Sequence, residues 1–239
     1  FKGDRFVSGA VGVLVASIIL FTAWPVGTVL SEMFTPRGDL GVAAAMADRL
    51  FDRKIWGLGC VAGPVNCGVF WNTLLLATST ATAATMLGLC FALIVTRSRF
   101  PAKRALRLLT VLPIITPPFV IGLGLILIFG RSGVVNQMVE AMFGIELGRW
   151  IYGFNGVWLA QVFSFTPTAF LVLIGVVEGI SPAMEEASQT LRASKMRTFR
   201  AVSLPLMMPG ISNAWLVVFV ERLSDFGNPI ELGGSFGLL

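Results

Sequence analysis

Long apolar runs separated by short charged loops dominate this chain. Four runs, at about residues 8–30, 70–96, 105–130 and 151–177, exceed the roughly 20 residues that a helix needs to cross a hydrocarbon core. A fifth run begins near Ile211, and the sequence stops soon after it. The pattern predicts an all-α polytopic membrane protein that is truncated in or after its fifth span. We expect residues 1–69 to form the first span and an outer loop, and residues 70–239 to form an incomplete bundle.

Charge then assigns the two sides of the membrane. The loop at residues 97–107 contains five basic residues and no acidic one, so the positive-inside rule predicts that it is cytoplasmic. Alternation of the spans places the N-terminus and the 178–210 loop inside as well, and residues 31–69 and 131–150 outside. The net charge of +5 therefore reflects membrane topology, because the basic residues are divided among short loops. We expect no nucleic-acid partner.

The 178–210 loop is the most informative polar segment. Ser181 suits a helix N-cap, and Pro182 suits the first helical position. Pro205 and Pro209 mark the entry to the next span. The spacing predicts short helices with a small apolar face, formed by Met184, Ala187, Ser188 and Leu191. Such a face in a membrane protein indicates a docking site for a water-soluble partner.

Polar and helix-breaking residues interrupt two of the spans. Pro113, Pro117 and Pro118 break the third, which predicts either a bend beside a translocation path or a kink for packing. Three charged residues lie in the fifth run, Glu221 with Asp225 at i, i+4 and Arg222 beside them as a counter-charge. Counted from Ile211, Glu221 lies about 15 Å along the helix, near mid-membrane. Charge at that depth usually faces a partner or a water-filled path, although the helix could also have reached the interface there.

Two cysteines lie in the predicted outer loop. Cys60 and Cys67 flank a segment with glycine and proline that favours a tight turn. An oxidising compartment would allow a disulfide, and two free thiols remain the alternative. The chain has no His and only three Cys, so we expect no metal site.

The sequence contains none of the common motifs of catalytic or nucleotide-binding sites. It contains no P-loop, no nucleophile paired with a His and no dinucleotide fingerprint. We therefore expect no catalytic residue and no cofactor in this chain, and any energy source to lie in another subunit.

The 178–210 loop resembles the cytoplasmic EAA loop of binding-protein-dependent ABC importer permeases. Glu186-Ala187-Ser188 matches the first part of that pattern, and Val202-Ser203-Leu204-Pro205 falls at the correct distance. Arg192 stands where the family has Gly, so the turn between the helices must be made differently or the helix extended. The resemblance implies that an ATPase couples to the loop through Glu185, Glu186, Ala187, Leu191, Arg192, Ala193, Leu204 and Pro205.

Three further stretches, at residues 71–101, 107–130 and 221–234, are similar to permeases of ferric-iron importers. The resemblance implies a MetI-like (type I) bundle in the bacterial inner membrane, corresponding to the N-terminal half of a fused permease. It also implies three partners, namely a cytoplasmic ATPase dimer, a periplasmic substrate-binding protein and a second permease half. Polyamine, thiamine, sulfate and phosphonate permeases share parts of these stretches and leave other cargoes open. A membrane anchor or assembly protein without transport activity is the other alternative.

Overall fold

A computed structural model describes residues 5–33, 47, 50–59, 67–98, 100–145 and 148–234. Within these ranges the chain forms helices and turns and no strand, which confirms the predicted all-α class. The chain divides into two compact units, residues 1–57 and 58–239.

The described part of the first unit is mostly helical. Helix α1 (Arg5–Ile18) continues through a π-helical turn (Ile19–Ala23) into α2 (Trp24–Met33), and α3 (Arg53–Trp56) is a single turn. The π-helical turn has wider hydrogen-bonded rings than an α-helix but does not end the helix. Residues 6–31 therefore form one continuous apolar helix with a mean hydropathy of 2.3.

The second unit contains the other candidate spans. Its order is α4 (Val69–Arg97), α5 (Lys103–Val111), a 3₁₀ turn (Leu112–Ile115), α6 (Pro118–Phe129), α7 (Val134–Phe143), α8 (Phe154–Gly179), α9 (Pro182–Thr190), α10 (Lys195–Thr198), a π-helical turn (Phe199–Ser203), α11 (Leu204–Leu223) and α12 (Gly227–Leu232). We call the end of this bundle that carries Arg97 and the 178–210 loop the loop end. The end that carries α12 is the opposite end.

Five helical segments of the described residues are long and apolar enough to cross a membrane, as the sequence predicted. They are Phe6–Ser31, Val69–Arg97, Phe119–Phe143, Phe154–Gly179 and Lys195–Leu223. A helix satisfies most of its backbone hydrogen bonds internally, which a hydrocarbon environment requires.

The third span differs from the expected bent helix at residues 105–130. The prolines separate α5 from α6 completely, because Pro117 has an extended backbone (ψ 141°) and Pro118 starts α6. The apolar stretch then runs on to Phe143, so part of the segment predicted as an outer loop forms α7. A proline disfavours helical backbone dihedrals at the residue before it, so the chain breaks sharply here instead of forming a kinked helix.

The fifth span begins earlier than Ile211. Helix α11 starts at Leu204, seven residues before that position, so Glu221 lies about 26 Å along the helix rather than about 15 Å. The estimate was wrong because Pro205 and Pro209 were expected to precede the helix. Pro205 instead occupies the first turn, where a missing N–H costs nothing, and Pro209 is accommodated inside the helix.

The core of the bundle is helix α8, which packs against α4 and α11. Small side chains line the central contact, and Ala81, Ala84 and Ala169 are completely buried. Gly88 allows the closest approach, since a Cβ there would lie 2.8 Å from the Phe170 nitrogen and 2.9 Å from the Ala169 Cβ. Small residues of this kind let membrane helices approach closely enough for backbone and side-chain packing to hold them together.

We predict that Gly88→Ala destabilises the bundle by about 1–3 kcal/mol, because the added methyl meets backbone atoms that cannot move aside. Gly175→Ala is the matched control, since Gly175 lies on α8 and has nothing within 4 Å of a built Cβ. The control should be neutral or stabilising by up to about 1 kcal/mol. The midpoint of thermal unfolding of detergent-purified protein measures both, and equal midpoints would contradict this account of the packing.

Candidate functional site

The EAA-like loop folds into two short helices, as predicted. Ser181 occupies the N-cap position of α9 and Pro182 its first turn, although the Ser181 side chain makes no capping bond. Ser194 does cap α10, because its Oγ accepts a hydrogen bond from the Arg197 N–H at 3.3 Å. The two helices are joined by a side-chain bond of 3.0 Å between Ser188 Oγ and Thr198 Oγ1.

Arg192 makes the turn between these helices in a left-handed conformation. Its φ of 60° is the one positive φ at a non-glycine residue in the described part of the chain. The sequence led us to expect a different turn or a longer helix, and the longer helix is wrong because α9 ends at Thr190. Arg192 adopts the conformation that glycine prefers, at a cost of roughly 1–2 kcal/mol for a residue with a Cβ.

One face of the loop is apolar and exposed. Met184 is 48% exposed and Leu191 84% exposed, with exposed Ala187 between them on α9. Glu186 is also exposed, and Met196 adds an exposed side chain on α10. Large apolar side chains displayed together with a free carboxylate are typical of a helix that docks in a groove of another protein.

Glu185 is turned inward, unlike its neighbour Glu186. Its Oε2 accepts a hydrogen bond of 3.0 Å from Arg97 Nη1, and its Oε1 accepts one of 2.8 Å from Ser203 Oγ. The two adjacent carboxylates therefore differ in role, one inside the fold and one at the surface. Sequence reasoning missed Arg97 as the partner of Glu185, because these residues are 88 positions apart and Arg97 was counted only as a topology signal.

The remaining residues of the predicted coupling set lie at the joints of the loop. Ala193 is half-buried, and its N–H bonds to the Ser188 carbonyl at 3.3 Å. Leu204 starts α11 and is half-buried, and Pro205 is exposed in its first turn. These three residues set where the loop enters and leaves its helices.

A cavity of about 280 Å³ lies between part of the loop and the ends of the spans. Its lining combines apolar side chains from α4, α8 and α11, such as Leu93, Val177 and Met207, with polar groups from the loop, such as Gln189 and Thr198. Helix α9 buries none of its own residues, so polar bonds rather than apolar packing hold it against the bundle.

A second polar group lies at the opposite end, around Asp225. Its Oδ2 accepts hydrogen bonds from Gln161 Nε2 (2.8 Å) and Asn228 Nδ2 (3.0 Å), and its Oδ1 accepts one from the Gly227 N–H at 3.2 Å. Asp225 is only 9% exposed. These bonds join α8, the turn after α11 and the start of α12.

The expected helical face of Glu221 and Asp225 does not form. Helix α11 ends at Leu223, so Asp225 lies in the following turn rather than one helical turn above Glu221. Arg222 is fully buried, and none of its side-chain nitrogens has a hydrogen-bond partner in the described part of the chain. No salt bridge within 4.0 Å joins Arg222 to either carboxylate among the described residues, but the charge of Asp225 acts on the Arg222 guanidinium, as expected of a local counter-charge. Glu221 is half-buried and faces Thr168 of α8.

Gln161, Asn228 and Glu231 belong to this polar group and were missed from the sequence. Each also has a buried oxygen without a hydrogen-bond partner among the described residues. Helix α6 approaches them closely at Gly122, where a Cβ would lie 2.9 Å from Glu231 Oε2 and 3.0 Å from Asn228 Oδ1. The sequence signal that could have revealed this polar group is Gln161, an amide side chain inside an apolar run.

The three prolines of the third span lie at the junction between α5 and α6. Pro113 is half-buried in the 3₁₀ turn, Pro117 is exposed at the N-cap of α6, and Pro118 is the first residue of that helix. Their predicted position beside a translocation path remains a prediction.

Cys67 takes part in a disulfide bond, and Cys90 is a free thiol. Cys60 lies outside the described residues, so its pairing with Cys67 stays a prediction. Among the residues that the structure describes, no group of three or more His, Cys, Asp or Glu side chains is arranged to hold a metal ion.

Comparison with known proteins identifies the family. Residues 84–235 match the family described as binding-protein-dependent transport system inner membrane component. The chain belongs to this family. With its five candidate spans, it is part of a multi-pass inner-membrane protein.

Two relatives within this family match the whole chain. A ferric transport system permease protein, FbpB, of Actinobacillus pleuropneumoniae is 36% identical over 238 residues. A putative ferric transport system permease protein, FbpB 1, of Haemophilus influenzae is 35% identical over 238 residues. The chain covers 33% and 36% of their respective lengths, so it spans about a third of these relatives.

A solved structure shows the same fold. The bacterial alginate ABC transporter in complex with an alginate pentasaccharide-bound periplasmic protein contains a chain that aligns with a TM-score of 0.60. The alignment covers 93% of this chain and 72% of that one at 18% sequence identity. The helical arrangement of this chain is thus shared with a chain of very different sequence.

We predict that Arg192→Gly preserves the loop and stabilises it by on the order of 0.5 kcal/mol, because relief of left-handed strain outweighs the greater freedom of glycine in the unfolded chain. Arg192→Val should destabilise the loop, since a β-branched residue tolerates positive φ poorly. Hydrogen exchange of residues 188–198 reports the change.

Arg192→Ala is the control for charge, because it removes the guanidinium but keeps a Cβ in the left-handed conformation. We expect it to exchange like the unmodified protein. Faster exchange in Arg192→Gly than in Arg192→Ala would contradict the strain argument.

Proposed function

We propose that this chain is the N-terminal permease half of an ATP-driven importer that moves iron(III) delivered by a periplasmic binding protein. The observation that carries this proposal is its similarity, along its full length, to two ferric transport permeases at 35–36% identity. The family match supports the transporter class, and the relatives' names support the cargo.

The EAA-like loop is the docking site for a cytoplasmic ATPase dimer in this proposal. The exposed apolar face of Met184, Ala187 and Leu191 suits a groove on that partner. Glu186, exposed in the early turns of α9, is available for a charge-assisted bond to a basic group there. ATP hydrolysis belongs to the partner, and this chain supplies the docking helix and the path.

Transport then follows from a change in the contacts at this loop. Closure of the ATPase pair biases the spans between inward-open and outward-open arrangements only if the pair contacts α9 differently in the two states. Helix α9, held by polar bonds beside a cavity of about 280 Å³, has room for such a displacement. A packed apolar contact would resist the same movement.

Two further partners complete the assembly that we propose. A second permease half would pair with this bundle, consistent with a chain that spans about a third of its ferric relatives. A periplasmic binding protein would deliver the substrate at the opposite end, by analogy with the periplasmic protein bound in the alginate transporter. Among the residues predicted for the path, the half-buried Pro113 and Glu221 and the exposed Pro117 remain available to line it.

The proposed orientation places the N-terminus and the loop end in the cytoplasm. We predict that Ser98→Cys is protected from an impermeant thiol reagent in intact cells and becomes labelled after permeabilisation, because the basic loop that follows α4 stays inside. Ala44→Cys, in the segment at residues 31–69 that the sequence predicts to be outside, should be labelled in intact cells. The unmodified protein supplies the background from Cys90. The reverse labelling pattern would invert the topology.

We predict that Glu186→Lys abolishes ATPase association and iron(III) uptake while leaving the protein inserted in the membrane. The substitution reverses the charge presented to the partner and places a cation near the positive end of the α9 dipole. Co-purification with the ATPase subunit and uptake by proteoliposomes that contain the full-length protein measure the two effects.

Glu140→Lys is the matched control, because Glu140 is an equally exposed carboxylate on α7, away from the loop. It should leave both quantities unchanged. Normal uptake by Glu186→Lys would remove the basis for assigning the loop to ATPase docking.

A further inference from the structure

Arg97 is the last residue of α4, and its guanidinium contacts two other parts of the bundle. Nη1 donates to Glu185 Oε2 at 3.0 Å, and Nη2 donates to the carbonyl oxygens of Val177 at 3.3 Å and Ile180 at 3.2 Å. The Arg97 and Glu185 side chains are 27% and 22% exposed, so the pair is mostly shielded from solvent.

The chemistry of an arginine fits this position. Helix α8 ends at Gly179, and its last carbonyls have no partner within the helix and carry partial negative charge. A planar guanidinium presents separate N–H groups to these carbonyls and to a carboxylate at the same time. A lysine ammonium at the end of a flexible stem lacks that fixed fork.

Glu185 extends the connection to a fourth element. Its other oxygen accepts the hydrogen bond from Ser203, the last residue before α11. Arg97 and Glu185 together therefore join the ends of α4 and α8 to α9 and to the start of α11. Helix α9 buries no residue of its own, so this junction attaches it to the spans through polar bonds.

We infer that Arg97 is a positioning residue that transmits displacement of α9 to α4 and α8. The inference rests on the proposed function, in which an ATPase moves α9. Glu186 faces outward to the partner and Glu185 faces inward to Arg97, so force applied at one carboxylate reaches the spans through the next residue. Helix α8 is joined to α9 through the chain by Ile180 and Ser181, whereas α4 is linked to α9 through Arg97. Without Arg97, α9 could therefore move while α4 stays in place.

The test uses the full-length protein reconstituted with its ATPase and with its binding protein loaded with iron(III). The measured quantity is iron(III) taken up per ATP hydrolysed. Arg97→Gln should lower this ratio about tenfold, within the range of coupling energies between linked sites, while the ATPase subunit co-purifies in the normal amount. Arg97→Lys should recover part of the ratio, because it keeps the charge opposite Glu185 but loses the bonds to the two carbonyls.

Arg107→Gln is the matched control on the following helix. Arg107 lies 3.9 Å from Glu178, and both side chains are more than half exposed (53% and 52%). Exposed pairs at this distance contribute little, so the control should keep the normal ratio.

A double-variant cycle separates transmission from general damage. If Arg97 acts through Glu185, then Glu185→Gln should lower the ratio on its own, and adding Arg97→Gln should cause little further loss. Independent, multiplying losses would overturn the inference.

Two other results would also overturn it. One is a normal uptake-to-hydrolysis ratio in Arg97→Gln, and the other is a loss of ATPase co-purification that accounts for all of the lost uptake. If the proposed function itself is wrong, the unmodified protein will take up no iron(III) even with its ATPase and binding protein. That result is distinct from both outcomes above.

Discussion

The close packing of α4 against α8 is the constraint on which the rest of the second unit depends. Two helices that satisfy their own backbone bonds attract each other in lipid mainly through van der Waals contact, so they must approach closely. Gly88 and the buried alanines permit that approach. Helices α4 and α8 both end at the loop end of the bundle. Their close packing therefore brings Arg97, at the end of α4, beside the terminal carbonyls of α8. The position of the EAA-like loop therefore follows from small residues in the middle of the bundle.

Polar junctions hold the two ends of this bundle, and apolar clusters fill the region between them. Arg97 and Glu185 join four elements at the loop end, while Asp225 joins α8 and α12 at the opposite end. Buried hydrogen bonds of this kind are specific in geometry and costly to leave unmade. Such an arrangement favours movement of helices as rigid elements about defined joints, which is the motion that the proposed transport cycle requires.

Sequence reasoning was most successful where a single helix determines the outcome. Apolar length identified the five spans, and Ser181 with Pro182 correctly marked the start of α9. It failed where a choice depended on neighbouring elements. Pro205 was read as a helix boundary although it fits the first turn of α11, and this shifted the estimated depth of Glu221 by about 10 Å. The expected i, i+4 pairing with Asp225 failed because the helix ends two residues earlier.

By itself, the sequence determined the class of fold, the number of spans and the location of the loop, because hydropathy and helix capping act over short distances along the chain. The tertiary structure alone decided which of two adjacent carboxylates faces inward. Glu185 and Glu186 are equivalent in composition and differ by about 100° around a helix, and only the position of Arg97 on another span distinguishes them. Likewise, the left-handed turn at Arg192 became evident only from the backbone, because nothing in an arginine side chain favours a positive φ.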